Sequence, residues 1–227
     1  MNPEVRELFD MHVASTYDKQ LFLADLVGNN GWRFDMFPGV ISFGPKLAWK
    51  AQVLGSEARA TNTWLWSWAN TASNIPGALL KAAGEMRKLG AERSLRELTQ
   101  PQFPLAEVDG AVLSVIAAGV CQARASYRGP YPGGAAFFLI DDPEYPRFIV
   151  DPAVRISIVF PQVISAYEVN HRRAFAGYLA YYGLESQTDG AAVVAGDSSG
   201  PQIRAEFDAM DRLVKIISLP RSAGEKT

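Results

Sequence analysis

The sequence has one cysteine, two histidines and no concentrated positive charge. A single thiol, Cys121, excludes an intrachain disulfide and any multi-cysteine zinc site, and it fits a reducing compartment. Two histidines, His12 and His171, leave few ways to build a histidine-based catalytic centre. Lys and Arg total 22 against 24 Asp and Glu. No basic block is longer than Arg172-Arg173, so the clustered footprint that nucleic acid requires is missing, and no nucleic-acid partner is expected. The longest apolar run, Ala111 to Cys121, is too short for a bilayer, which needs roughly 20 apolar residues. The opening MNPEVRELFDMH carries acids and lacks the form of a signal peptide, so a cytoplasmic protein without a membrane partner is expected. No Gly-x-x-x-x-Gly-Lys-Ser/Thr, Gly-x-Gly-x-x-Gly or His-Glu-x-x-His is present, and neither a cofactor nor a metal is expected.

What is present suits a folded core. The chain has 227 residues, of which 48% are hydrophobic. We expect a single α+β domain over 1–220, with two halves, 1–90 and 105–220, as the alternative, and a frayed tail over 221–227. Apolar residues at steps of three and four predict a helix from Pro3 to Val27, with Asn2 as cap and Gly28-Asn29-Asn30-Gly31 as terminator. The period then changes to two. Trp32–Met36 and Val40–Gly44 flank the turn Phe37-Pro38-Gly39, and strands at Leu47–Leu54 and Thr63–Asn70 follow, joined by the polar link Gly55–Asn62. Four such strands form an antiparallel meander. A helix is expected from Ser73-Asn74-Ile75-Pro76 to Leu89, closed by Gly90, and another over Leu105–Ala118. Tyr127–Ile140 is read as a hairpin, Val154–Tyr167 as a helix despite Pro161, and His171–Gly183 as a helix. Gln187–Pro201 is read as a polar loop, and Ile203–Asp208 with Arg212–Leu219 as a closing hairpin. Phe34-Asp35 with Val40-Ile41 and Phe43 mirrors Phe207-Asp208 with Leu213-Val214 and Ile216, each behind a helix, which allows a weak internal duplication. The class is therefore α+β: an antiparallel meander with helices packed mainly on one face.

TWLWSWAN, Thr63 to Asn70, is the most unusual stretch. On a strand, Trp64, Trp66 and Trp68 share one face, joined by Asn70 if the strand runs that far. Trp49 on the neighbouring strand is placed to stack beside them. The first reading is a buried wall, since each indole can cover on the order of 150 to 250 Å². The second is a binding surface, with Asn62, Asn70 and Asn74 supplying polar contacts. A mixed case buries the inner indoles and leaves the last at the mouth of a cleft with Asn70.

Gly31-Trp32, Phe34-Asp35, Gly39 with Ile41 and Phe43, Gln52-Val53-Leu54-Gly55-Ser56 and TWLWSWAN together resemble an uncharacterised family of bacterial proteins. That family carries a W-x-x-D, Q-x-L-G-S, T-W-x-W-x-W-A-N series. His171 followed by a helix, and Phe207-Asp208 before Arg212-Leu213, are similar too. The resemblance covers most of the chain and implies no activity.

Four constellations invite chemistry. Gly196-Asp197-Ser198-Ser199-Gly200-Pro201 is one residue away from the nucleophile motif of trypsin-like proteases, but lacks the surroundings that bring a histidine and a carboxylate to the serine. Cys121 with His171 could form a thiolate pair, against the simpler reading of a buried thiol ending an apolar helix. His171-Arg172-Arg173 could hold an anion, against a helix capped by Asn170 with solvated or paired arginines. Asp141-Asp142-Pro143-Glu144 with Asp151 could hold a hard cation, against ordinary turn chemistry.

The residues point to a non-enzymatic binding or interaction protein, immunity-like by analogy, whose partner is a small molecule or a protein. Its candidate ligand-binding residues are Trp64, Trp66, Trp68, Asn70, Gln52, Asp35 and His171. The alternatives are an enzyme with an acid–base group near Asp35 or His171, and a carbohydrate-binding module with exposed, coplanar indoles.

Overall fold

Asn2 opens the first helix, α1 (Pro3–Val27), by accepting the Glu4 N–H at 2.9 Å, and Pro3 fits the first turn, where no N–H is needed. Gly28, at φ 52°, closes it. The computed structural model describes residues 1–219, so the tail expected to fray lies outside the described residues. The chain divides into two compact units. The first holds Met1–Phe9 and Lys19–Arg147; the second holds Asp10–Asp18 and the chain from Phe148 onward.

The first unit continues with β1 (Trp32–Asp35), β2 (Val40–Phe43), β3 (Leu47–Ala58) and β4 (Thr63–Trp66). After these come α2 (Lys81–Arg93), the short α3 (Arg96–Thr99), β5 (Gln102–Pro104), α4 (Gly110–Val120), β6 (Ala125–Tyr131) and β7 (Gly134–Ile140). The expected meander is present: β1 to β5 follow one another as antiparallel neighbours, while β7 pairs with β3 and β6. Strand β3 organises the sheet. Its Lys50 carbonyl accepts from Asp141 beyond the end of β7, whereas its Ala51 N–H donates to Gly39 beside β2. Successive residues of a strand point their backbone groups to opposite edges, so β2 and β7 lie on opposite sides of β3. Strand β4 pairs with Gly55–Ala58, over which β7 holds the other edge. Both β2 and β4 therefore share one edge of β3, and the ladder irregularity between Val53 and Gly55 lies near the point where the sheet forks.

The two faces of the sheet are distinct. Phe137 meets Trp64 at 5.3 Å, and a Cβ on Gly110, the first residue of α4, would stand 2.6 Å from Phe137 and 2.7 Å from Trp64. Helices α2 and α4 pack on β3, with α4 also against β6 and β7. Phe138 points the other way. It meets Trp32 at 5.7 Å and Phe34 at 4.6 Å, in a cluster that includes Leu23 and Val27 of α1.

The second unit contains α5 (Pro152–Ala166), α6 (His171–Tyr181), and β8 (Glu185–Asp189), β9 (Ala192–Asp197), β10 (Gly200–Phe207) and β11 (Leu213–Ser218). Its strands form a separate antiparallel sheet in the order β11-β10-β9-β8. Phe160, Phe175 and Phe207 build its aromatic centre, at 5.2 and 5.8 Å between successive rings. Gly177 lets α6 touch the middle of α1, because a Cβ there would sit 1.9 Å from the Met11 carbonyl oxygen.

Several local expectations change. Strand β4 stops at Trp66 rather than Asn70, since Ser67 enters a 3-10 turn and donates its hydroxyl to the Val53 carbonyl at 2.6 Å. The polar link after Leu54 is strand, because β3 runs on to Ala58 between β4 and β7. The helix placed from Ser73 begins at Lys81, whose N–H is taken by the Gln52 side chain at 3.0 Å, and Gly90 lies inside it. The helix placed from Leu105 begins at Gly110, where Asp109 accepts the Val112 N–H at 2.9 Å. Gln187–Pro201 is mostly strand: β8 is exposed along its whole length and so shows no alternation, and Gly190, at φ 60°, turns it into β9. The hairpin β10–β11 thus follows a strand, not a helix, which weakens its likeness to β1–β2. Helix α5 passes through Pro161, as its apolar spacing predicted. Among the described residues, no helix is long and apolar enough to cross a membrane.

Candidate functional site

The tryptophan stretch divides by position. Trp64 and Trp66 are 0% exposed. Their rings meet edge-on at 87°, and Trp66 donates its indole N–H to the Glu97 carbonyl at 3.0 Å. Buried, crossed rings cannot offer the flat exposed platform that a sugar stacks on. Trp49 joins the cluster on the opposite face, with Phe43 and Tyr145. Trp68, beyond the strand, is half-buried beneath the Arg87 guanidinium, 4.4 Å from its ring centre.

On the face opposite Trp64 lies a cavity of about 360 Å³. Strands β1, β3, β6 and β7 and the turns after β4 shape it. Strand β1 brings Trp32 and Phe34, half-buried where Arg33 and Asp35 are exposed. The forked part of β3, with β7, supplies Val53, Gly55, Ser56, Ala136 and Phe138. The turns after β4 contribute Ser67, Asn70, Ser73 and Ile75, while Arg33, Met36 and Tyr131 complete the wall. Asn70 owes its place to its own turn: its side-chain oxygen accepts the Ser73 N–H at 3.2 Å. A cavity at the low end of the usual ligand range of roughly 300 to 1,000 Å³, mainly apolar with a few polar groups, has the make-up of a small-molecule site.

An antiparallel α+β unit with a cavity at a forked strand is the class that these features define. The chain belongs to a family of unknown function, DUF6882, whose model matches residues 6–143. All the cavity-lining residues fall within the matched stretch. No curated protein and no solved structure matches the chain.

Of the residues singled out from sequence, Asn70 lines this cavity and the others have different surroundings. Gln52 spans β3 and α2: its amide donates to the Ala78 carbonyl at 3.2 Å and accepts from Lys81. Asp35 accepts the Phe37 N–H at 3.1 Å, an ordinary turn bond. His171 belongs to the second unit, where Nδ1 accepts the Leu213 N–H at 3.0 Å. Asn62 and Asn74 hold left-handed turn positions. Sequence reasoning missed Trp32, Phe34 and Phe138 as lining residues. The alternation Trp32-x-Phe34 was visible, but not the distant strand it would face.

The remaining constellations are structural in their contacts. Burial, then Glu85 and Asp141, pushes the Cys121 thiol up to about 11, the reverse of an activated thiolate. Asp197 accepts the Ser199 N–H at 2.8 Å in the tight β9–β10 turn. Asn170 caps α6 through the Arg173 N–H at 2.8 Å, and Arg172 pairs with Asp211 at 2.6 Å. Asp142 accepts the Lys50 N–H at 2.7 Å and the Glu144 N–H at 2.9 Å. Asp151 caps α5.

The His171 bond requires an unprotonated Nδ1. Burial lowers its affinity for protons below the ordinary histidine value of 6.5, with Asp208 opposing and Arg212 acting as burial does. The unfolded chain therefore takes the proton first, so this contribution is complete above about pH 6.5 and is lost as pH falls below it. Urea unfolding is expected to show a weaker protein at about pH 5.5 than at about pH 7.5, with a smaller difference in His171→Gln. An equal difference in the variant would assign the effect to other groups.

Proposed function

We propose that the first unit is a small-molecule-binding module whose ligand sits in the cavity between β1 and the forked part of β3. The observation that carries this reading is the composition of the wall. Aromatic and aliphatic side chains dominate it, hydroxyl and amide groups punctuate it, Arg33 adds one charged residue, and among the described residues no carboxylate, histidine or thiol contributes. A general acid–base pair needs titratable groups within hydrogen-bond reach of one substrate, and this wall favours holding over transforming. The reading keeps the expected non-enzymatic binding role and places it at Asn70, on the side of the sheet away from Trp64.

Ala136 is the test position, since a large side chain there would enter the cavity. Titration with N-phenyl-1-naphthylamine, a neutral fluorophore, is expected to show saturable binding to the native protein. Ala136→Phe is expected to weaken it by about tenfold or more, with the far-UV circular dichroism unchanged. Equal affinity in a folded Ala136→Phe protein would remove the cavity as the binding site.

A further inference from the structure

The polar groups of the cavity are unevenly matched. Asn70 spends its side-chain oxygen on the Ser73 N–H, while its Nδ2 has no protein partner among the described residues. The hydroxyls of Ser56 and Ser73 have none either. The Ser67 hydroxyl is already committed to the Val53 carbonyl. An amide nitrogen can only donate, and a hydroxyl can donate by rotation. The wall thus offers an amide donor that lacks an acceptor, beside hydroxyls able to give or take a hydrogen bond.

Charge is placed elsewhere. Among the described residues Arg33 is the one formally charged member of the wall, yet it alternates with Trp32 and Phe34 along β1 and is exposed where they are half-buried. Strand geometry puts its side chain on the face away from their rings. An anion in the cavity would leave water without a cation beside it, and a cation would find no carboxylate. Neutral amide and hydroxyl groups replace the hydration of either only in part. The rings of Trp32, Phe34 and Phe138 meanwhile favour a flat, polarisable occupant.

We infer that the occupant is an uncharged, ring-bearing molecule carrying a hydrogen-bond acceptor, such as a carbonyl or ring nitrogen, that meets the Asn70 amide. This rests on the cavity being the binding site, and the two ideas fail differently. Three naphthalene probes separate them: the neutral ketone 6-propionyl-2-dimethylaminonaphthalene, neutral N-phenyl-1-naphthylamine, and anionic 8-anilinonaphthalene-1-sulfonate. The native protein is expected to bind the ketone about tenfold more tightly than the sulfonate. Asn70→Asp keeps the oxygen that holds Ser73 but replaces the donor. It is expected to weaken the ketone by about tenfold and the phenylnaphthylamine by less than about twofold. The inference is overturned if the sulfonate binds as tightly as the ketone and Ala136→Phe abolishes both. It is overturned as well if Asn70→Asp weakens both neutral probes alike. If Ala136→Phe changes no probe, the site itself is wrong and the inference goes with it. The comparison of ketone with sulfonate, read with Ala136→Phe, does not use Asn70→Asp, so it decides the question of charge even where that variant does not fold.

Discussion

Replacing Asp18 with alanine is expected to destabilise the second unit by about 3 to 5 kcal/mol, the usual cost of removing one partner from a buried charged cluster. The Asp18 side chain is fully buried and receives three donors: Arg155 Nε at 2.7 Å, and the hydroxyls of Tyr178 and Tyr182 at 2.6 Å each. Burial, followed by the Asp18 carboxylate, holds both phenols well above the usual tyrosine range. Neither phenol therefore ionises at ordinary pH, and both keep donating. Without the carboxylate, a guanidinium and two hydroxyls lose their acceptor in a place that water reaches poorly. Tyr182→Phe removes one donor and leaves the rest, so it is expected to cost only about 1 kcal/mol. Urea unfolding followed by far-UV circular dichroism makes the comparison. All five tryptophans belong to the first unit, so their fluorescence reports on that unit separately. A loss below about 1 kcal/mol for Asp18→Ala would show that the cluster is replaceable.

Trp64→Ala is expected to cost the first unit about 3 to 5 kcal/mol, in the range for truncating a buried aromatic. Trp64 lies directly over Gly55, where a Cβ would stand 2.3 Å from the indole and 2.7 Å from the Leu65 carbonyl oxygen. The close approach makes Gly55→Ala damaging as well, by about 1 to 3 kcal/mol. The double variant separates the two obstacles. If the indole is the main one, Gly55→Ala should cost less once Trp64 is alanine. If the Leu65 backbone is, the costs should add. Tryptophan fluorescence during urea unfolding gives all three values. A Trp64→Ala protein as stable as the native one would mean that the wall is not a core element.

These expectations show where sequence was informative. Helix α1 was readable to both ends because its signals are local: a capping asparagine, a proline in the first turn and a terminal glycine. The β1–β2 hairpin was readable for the same reason. Strand β8 was not, since its residues are all exposed and its order comes from pairing with β9. The end of β4 was hidden too, because the Ser67 hydroxyl reaches the carbonyl of Val53, 14 positions away. For the indoles, burial was one of the readings that the alternation left open, and Trp64 and Trp66 follow it, but the full cavity was not legible. It needs Trp32, Ser56, Asn70 and Phe138 together, and no spacing rule joins them. Asn70 was found through its neighbours in TWLWSWAN, although the cavity lies on the other side of the strand from the buried indoles.

The division of α1 between the units has a consequence in time. The helix precedes everything it packs against. Its Gln20 waits for Ser126, 106 residues later, and Asp18 waits for Tyr178, 160 residues later. A chain leaving the ribosome can complete the first unit while the second is still being made, since domains generally fold as units and N-terminal parts come first. Through that interval the turns from Asp10 to Asp18, including the apolar Val13 and Ala14, lack the residues that finally bury them. These middle turns are thus made well before the residues that cover them.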